Sequence, residues 1–188
     1  IAPCYISLAK DVLKGTGIQV ASTLNFPQAN DTLDMKLAAL KEMIKTGVDQ
    51  FDFPPNPGLL IGGEEKAYFE EMKQIVEVAH ASGVIVKSML EFGFLNEEQK
   101  KKAAQLACEA GIDWVKQSSG WGVGGCAATV EDVKILKENI SLPCRVKVSG
   151  KVNSLEKMKM MFEAGAELVG TSSGPEIIEG LIGDPNAY

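Results

Sequence analysis

Apolar and polar positions along this chain alternate between two rhythms. Segments such as 34–45, 65–81 and 97–109 are amphipathic at helical spacing, and each gives way to a short, strand-like apolar run. The joints carry a recurring phrase: Thr16-Gly17-Ile18, Thr46-Gly47-Val48, Ser82-Gly83-Val84, Ala110-Gly111-Ile112 and Ala164-Gly165-Ala166. A glycine just past a helix end takes the left-handed cap conformation without steric cost, and the next apolar residue turns the chain into a buried strand. The joints recur at a period of about 30 residues, which is the signature of successive βαβ units with strands paired in parallel. The longer gap between Gly111 and Gly165 holds two units, because the joint before Arg145 is Ile140-Ser141-Leu142-Pro143.

This pattern predicts helices over 7–14, 34–45, 65–81, 97–109, 129–138 and 155–163, each followed by a strand, at 19–25, 49–53, 84–90, 113–118, 145–149 and 167–171. A last short helix starts near Pro175, a residue suited to the first helical turn. Six parallel strands are visible and a seventh is implied before Ile1. An open doubly wound sheet and a (β/α)8 TIM barrel both accommodate them, and the facing of the side chains separates the two. With Phe51, Phe53, Val86, Val115, Val146, Val148 and Val169 turned toward the helices, Asp52, Lys87, Lys116 and Lys147 share the other face. An open sheet has no common interior for charges from four strands, and isolated buried charges cost several kcal/mol each. The barrel is therefore expected. It needs two more strands than are visible, so the first strand, its helix and part of the second are expected to be missing, about 40 residues by the usual size of a βα unit. The chain, residues 1–188, is expected to form one N-terminally incomplete barrel domain.

Composition narrows the function classes. A net charge of -6 and a pI near 4.9 argue against nucleic acid or an anionic membrane as the main partner, while leaving a small anionic substrate open. Cys4, Cys108, Cys126 and Cys144 form no C-x-x-C pair, and only His80 could join them around a metal, so free thiols in a reducing cytoplasm are expected. No apolar run reaches the roughly 18 residues of a transmembrane helix. The opening residues 1–5 lack the basic and apolar regions of a signal peptide.

The candidate chemistry centres on Lys116, a lysine where a buried strand should be apolar. Lysine is almost never fully buried unless paired or used. Lys147 repeats the oddity on the next strand, and Asp52 faces both. A neighbouring cation and desolvation each disfavour the ammonium form of Lys116, freeing an amine that attacks carbonyls to form a Schiff base, with a carboxylate near a second lysine to relay protons. The loop Gly120-Trp121-Gly122-Val123-Gly124-Gly125 contains G-x-G-x-x-G, but the next strand offers no acidic residue for a ribose, so it is a weak dinucleotide signal. Gly170-Thr171-Ser172-Ser173-Gly174-Pro175 leads into the last helix and suits a phosphate, and Ser149-Gly150-Lys151 adds a cation beside it. His80, the methionines Met158, Met160 and Met161, and Lys100-Lys101-Lys102 fit ordinary surface and packing roles.

Several of these segments resemble deoxyribose-phosphate aldolase, a family of class I aldolases on a (β/α)8 barrel. Val115 to Trp121 is similar to its Val-Lys-Thr-Ser-Thr-Gly-Phe strand, with Gln117, Ser119 and Trp121 substituted. Val146-Lys147-Val148-Ser149-Gly150, Gln50-Phe51-Asp52, Asn25-Phe26-Pro27, Thr129-Val130-Glu131-Asp132-Val133 and Gly170-Thr171-Ser172-Ser173-Gly174 also resemble family segments. The resemblance implies reversible cleavage of 2-deoxy-D-ribose 5-phosphate to acetaldehyde and D-glyceraldehyde 3-phosphate, in deoxyribose phosphate catabolism. Lys116 would form the imine, Lys147 would lower its pKa, and Asp52 would help move the C3 hydroxyl proton. Ser119, Gly150, Lys151, Ser172, Ser173 and Gly174 would hold the substrate and its phosphate. No metal or cofactor is implied, the partners would be small phosphosugars and aldehydes, and a homo-oligomer is left open. Lys151 stands where the family has a second glycine, Cys126-Ala127-Ala128 lengthens its loop, and Tyr188 ends the chain as some members do. A phosphosugar isomerase using Asp52 as base and a non-catalytic phosphometabolite-binding protein are the alternatives.

Overall fold

The computed structural model describes residues 1–121 and 124–184. Five of its described helices begin where a short polar side chain answers a free N–H group of the first turn. Thr32 accepts from Met35 N–H at the start of α2 (Leu33–Lys45), and Thr129 and Ser154 do the same for α6 (Val130–Glu138) and α7 (Leu155–Glu163). In α5 (Glu97–Glu109), Asn96 and Gln99 satisfy each other's backbone in a full capping box. The helices α1 (Ile6–Val12), α3 (Pro57–Ile61), α4 (Glu65–His80) and α8 (Gly174–Ile178) complete the set. The expected joints appear as expected: Gly47 and Gly111 sit past α2 and α5 at φ of 89° and 90°, where a β-carbon is disfavoured.

Six strands follow in order: β1 (Ala21–Thr23), β2 (Gln50–Phe53), β3 (Ile85–Met89), β4 (Trp114–Lys116), β5 (Arg145–Ser149) and β6 (Leu168–Gly170). Each pairs in parallel with the next, giving one sheet ordered β1 to β6 without a crossover. Phe51, Val86, Val115, Val146 and Val148 are wholly buried in the apolar cluster that the helices cover, whereas Asp52, Lys87, Lys116 and Lys147 occupy the alternate positions. The sheet is curled. Three strand spacings separate β2 from β5, about 14 Å in a flat sheet, yet the side chains of Asp52 and Lys147 meet at 2.8 Å. The concave face is thereby closed enough for groups on distant strands to touch.

The structure also shows features that periodicity did not predict. The short helix α3 fills part of the unassigned stretch after β2, because Asn56 caps Gly58 N–H and Pro57 opens the turn. Several strands are shorter than expected: only 114–116 of 113–118 is in the ladder. Asp49 and Asp113, at the feet of β2 and β4, accept N–H bonds from Val20 and Val86 of the neighbouring segments, and His80 meets Asp113 at 2.9 Å. The amino group of Ile1 donates to the Ala21 carbonyl of β1 at 2.9 Å. Behind the concave face, Lys36 of α2 and Glu71 of α4 form a buried ion pair at 2.9 Å. Lys36 also donates to the Ala29 carbonyl, and Glu71 accepts from Asn56 N–H, so the pair ties two helices to the loops after β1 and β2. All four cysteines are free thiols, and no helix among the described residues is long and apolar enough to cross a membrane.

Candidate active site

The strand alternation places three of the sequence candidates in one cleft at the carboxyl ends of the strands. Lys147 on β5 donates to both oxygens of Asp52 on β2, at 2.8 and 3.1 Å. Lys116 on β4 is register partner to Lys147 and is only 4% exposed. The cleft holds about 290 Å³ and is lined by Asp52, Lys116 and Lys147 with Thr23, Phe26, Met89, Trp121, Ser149, Gly170, Thr171 and Ser172. Phe26 and Trp121 meet edge to face, ring centroids 6.4 Å apart.

The electrostatics follow from burial and from an excess of lysines. Burial pushes the Lys116 amine below the usual lysine value, against the carboxylates of Asp52 and Glu91, which favour the ammonium. Of the two expected causes, a neighbouring cation and desolvation, desolvation leads for Lys116, while Lys147 turns its charge onto Asp52. Burial also opposes the charge on Asp52, but Lys147, then Lys116 and Lys87, outweigh it and hold the carboxyl below its ordinary range. Glu91 follows β3 with a left-handed backbone, φ 52°, and turns a buried carboxylate toward the loop after β4. That carboxylate accepts Ser119 N–H at 2.9 Å and the Ser118 hydroxyl at 3.2 Å, while the Ser118 oxygen accepts N–H bonds from Gly120 and Cys126. Glu91 therefore fixes the chain immediately after Lys116.

The remaining candidates divide. Gly150 and Lys151 line a second cleft of about 320 Å³ with Gly120, Gly125, Cys126 and Ala127, and Trp121 forms a wall of both clefts. Gly150 has φ 96°, and a β-carbon on it would lie 2.9 Å from the Cys126 carbonyl oxygen, so the loops pack through glycine there. Ser172 lines the first cleft, whereas Ser119 and Ser173 are buried and neither they nor Gly174 line either wall. Gln117, one of the departures from the resembling motif, is buried and donates to the Ser149 carbonyl, which takes it out of both walls. Of the other departures, Trp121, Lys151, Cys126 and Ala127 do face the clefts. Gly122 and Val123 of the glycine-rich loop, and Tyr188, lie outside the described residues. Sequence reasoning did not single out Glu91. The available signal was a carboxylate directly after the apolar run of β3. It left Lys87 without a role, although the alternation had already turned it inward. Among the described residues, no group of three His, Cys, Asp or Glu side chains is placed to hold a metal.

No family model matches the chain. Individual proteins do. A protein named deoxyribose-phosphate aldolase from Caldanaerobacter subterraneus subsp. tengcongensis is 38% identical over 180 residues, covering 95% of this chain and 77% of the relative. One of the same name from Staphylococcus carnosus is 40% identical over 185 residues, covering 98% of this chain and 82% of the relative. Among solved structures, QR15, described as an aldolase, superposes with a TM-score of 0.86 at 30% identity, covering 95% of this chain and 78% of that one. The tetrameric deoxyribose phosphate aldolase from Aeropyrum pernix superposes with a TM-score of 0.84 at 26% identity, covering 95% and 74%.

Proposed function

Because the chain belongs to the deoxyribose-phosphate aldolase family, we propose that it is a class I aldolase that reversibly cleaves 2-deoxy-D-ribose 5-phosphate to acetaldehyde and D-glyceraldehyde 3-phosphate. The observation that carries this reading is the buried Lys116 amine, held toward its uncharged form, beside the Asp52–Lys147 pair in one cleft. The amine attacks the C1 carbonyl, and loss of water from the adduct leaves an iminium. Asp52 takes the proton of the C3 hydroxyl, directly or through water. The electrons of the C2–C3 bond pass into the iminium, forming an enamine and releasing glyceraldehyde 3-phosphate. Protonation of the enamine at C2 and hydrolysis of the resulting iminium free acetaldehyde and restore the amine. The iminium is the electron sink, so this chemistry calls for no metal or cofactor. Lys147 keeps Asp52 ionised and oriented. Lys151, the backbone at Gly150 and the Ser172 hydroxyl are the phosphate contacts in this proposal, with Ser119, Ser173 and Gly174 shaping the loops that present them.

In the same proposal the six-stranded arc is part of a (β/α)8 barrel, the enzyme self-associates, and it works in the cytoplasm on deoxyribose phosphate breakdown. The order of the strands and the concave, charged face support the first point, and a tetrameric structural neighbour supports the second. Four free thiols suit the third. Borohydride reduction in the presence of deoxyribose 5-phosphate is expected to fix a covalent adduct on Lys116, located by peptide mass spectrometry, and Lys116→Ala is expected to lose both adduct and turnover. An isomerase using Asp52 would keep turnover in Lys116→Ala, and that result would overturn the aldolase reading. Thermal stabilisation by the phosphosugar with no turnover in the wild type would mark a binding protein instead.

A further inference from the structure

Beneath the cleft lies a lysine that the aldol chemistry above does not use. Lys87 is 1% exposed, and among the described residues its Nζ has no hydrogen-bond partner. It stands on β3 as the register partner of Asp52, on the same face of the sheet. Two residues further along β3, Met89 reaches the cleft wall, whereas Lys87 does not line the cleft. Its amine thus sits one layer below the cleft. An ammonium left in such a place without an acceptor is costly, and the natural acceptor, Asp52, has both oxygens engaged by Lys147.

We propose that Lys87 is a positioning residue of the aldol step, a third lysine under the cleft that acts through Asp52: charged, it competes with Lys147 for the carboxylate and weakens it as a base; uncharged, it leaves Asp52 to Lys147. The inference rests on the aldolase reading of the cleft. The groups that face Lys87 are Asp52 on β2, Lys116 on β4 with Asp113 at the foot of that strand, and Lys147 on β5. Burial is the main force lowering its pKa, Lys147 and Lys116 add to the lowering, and Asp52 and Asp113 oppose it, which leaves the amine titrating at about 8. The two forms of Lys87 therefore exchange within the range where a neutral-pH enzyme works.

The test is the pH dependence of kcat at saturating deoxyribose 5-phosphate. Once the iminium has formed, the free Lys116 amine no longer titrates, so kcat reports the groups of the bound complex. Wild-type kcat is expected to rise roughly threefold to tenfold as Lys87 loses its proton. In Lys87→Met the rise disappears and kcat stays at the wild-type high-pH level; in Lys87→Arg kcat stays at the low-pH level throughout. Borohydride trapping on Lys116 in each variant verifies that the cleft is intact. Asp113→Asn, which removes a carboxylate facing Lys87 without touching the cleft, is expected to move the wild-type midpoint downward, and it serves as the test if the Lys87 variants do not fold. A rise that survives in Lys87→Met, a wild-type-like rise in Lys87→Arg, a flat wild-type profile, or an unmoved midpoint in Asp113→Asn overturns the inference. Trapping on Lys116 with an unchanged profile sinks the role of Lys87 alone, whereas no trapping in the wild type sinks the aldolase reading and this inference together.

Discussion

Two buried lysine–carboxylate pairs in this molecule have nearly the same length and opposite surroundings. Lys36 and Glu71 meet at 2.9 Å between α2 and α4, with side chains 0% and 7% exposed. One cation faces one anion, and the remaining bonds go to the Ala29 carbonyl and the Asn56 N–H. Lys147 and Asp52 meet at 2.8 Å at the cleft, with side chains 12% and 11% exposed. Here Asp52 faces three lysines, and one of them, Lys87, has no hydrogen-bond acceptor among the described residues. A balanced and fully bonded pair organises the fold. In the proposed mechanism the unbalanced one supplies the base that moves a proton, while burial of the neighbouring Lys116 holds its amine toward the uncharged form, at a cost in stability.

Substitutions should separate the two pairs sharply. Asp52→Asn is expected to lower kcat by about 10²- to 10⁴-fold, the usual contribution of a placed acid–base group, in steady-state assays on folded protein. Glu71→Gln should do the reverse. It strands a buried lysine and is expected to destabilise by about 3–5 kcal/mol in urea unfolding, with kcat per folded molecule close to wild type. The smallest effect, and the one with the unusual sign, belongs to Lys87→Met. In an unfolded chain this lysine titrates near 10.5, and in the fold at about 8. Between those values the unfolded chain binds more protons, so wild-type stability rises with pH there; the penalty is complete below the lower value and gone above the upper one. Lys87→Met is therefore expected to stabilise by up to about 3 kcal/mol at neutral pH, with the gain shrinking as pH rises toward the upper value. Equal gains at neutral and alkaline pH would show that Lys87 carries no such penalty.

Much of this contrast was written in the chain. Periodicity and the glycine joints located the six strands and, apart from the short α3, the helices between them, because both signals are local: a helix face, a left-handed cap, an apolar run. Strand alternation then grouped Asp52, Lys116 and Lys147, since parallel pairing in sequence order carries facing from one strand to the next. What stayed hidden depends on contacts between distant side chains. Lys36 and Glu71 lie on different helices with nothing in either segment to name its partner. Glu91 anchors the loop after β4 only through a left-handed backbone that no neighbouring residue announces. Ser119 and Ser172 look alike in sequence, yet one is buried and the other lines the cleft, because loop packing decides which way each hydroxyl turns. The order of the two causes of the Lys116 shift was hidden for the same reason: a neighbouring cation and desolvation were both legible, but the engagement of Lys147 by Asp52 was not.

The uninterrupted strand order has a consequence for how such a catalyst can be altered. β2, β4 and β5 each carry one member of the Asp52, Lys116 and Lys147 cluster, and the loops beyond the strands supply the walls, so the proposed machinery is divided into separately replaceable parcels. In the proposed aldolase, the cleft-lining loop residues Trp121, Cys126 and Ala127 and the turn at Gly150 and Lys151 are the places to rewrite for a different acceptor aldehyde, while the strands keep the lysines and the aspartate at their stations. Diversification of this protein, by nature or in the laboratory, has a ready-made boundary between what performs the bond-making and what chooses the guest.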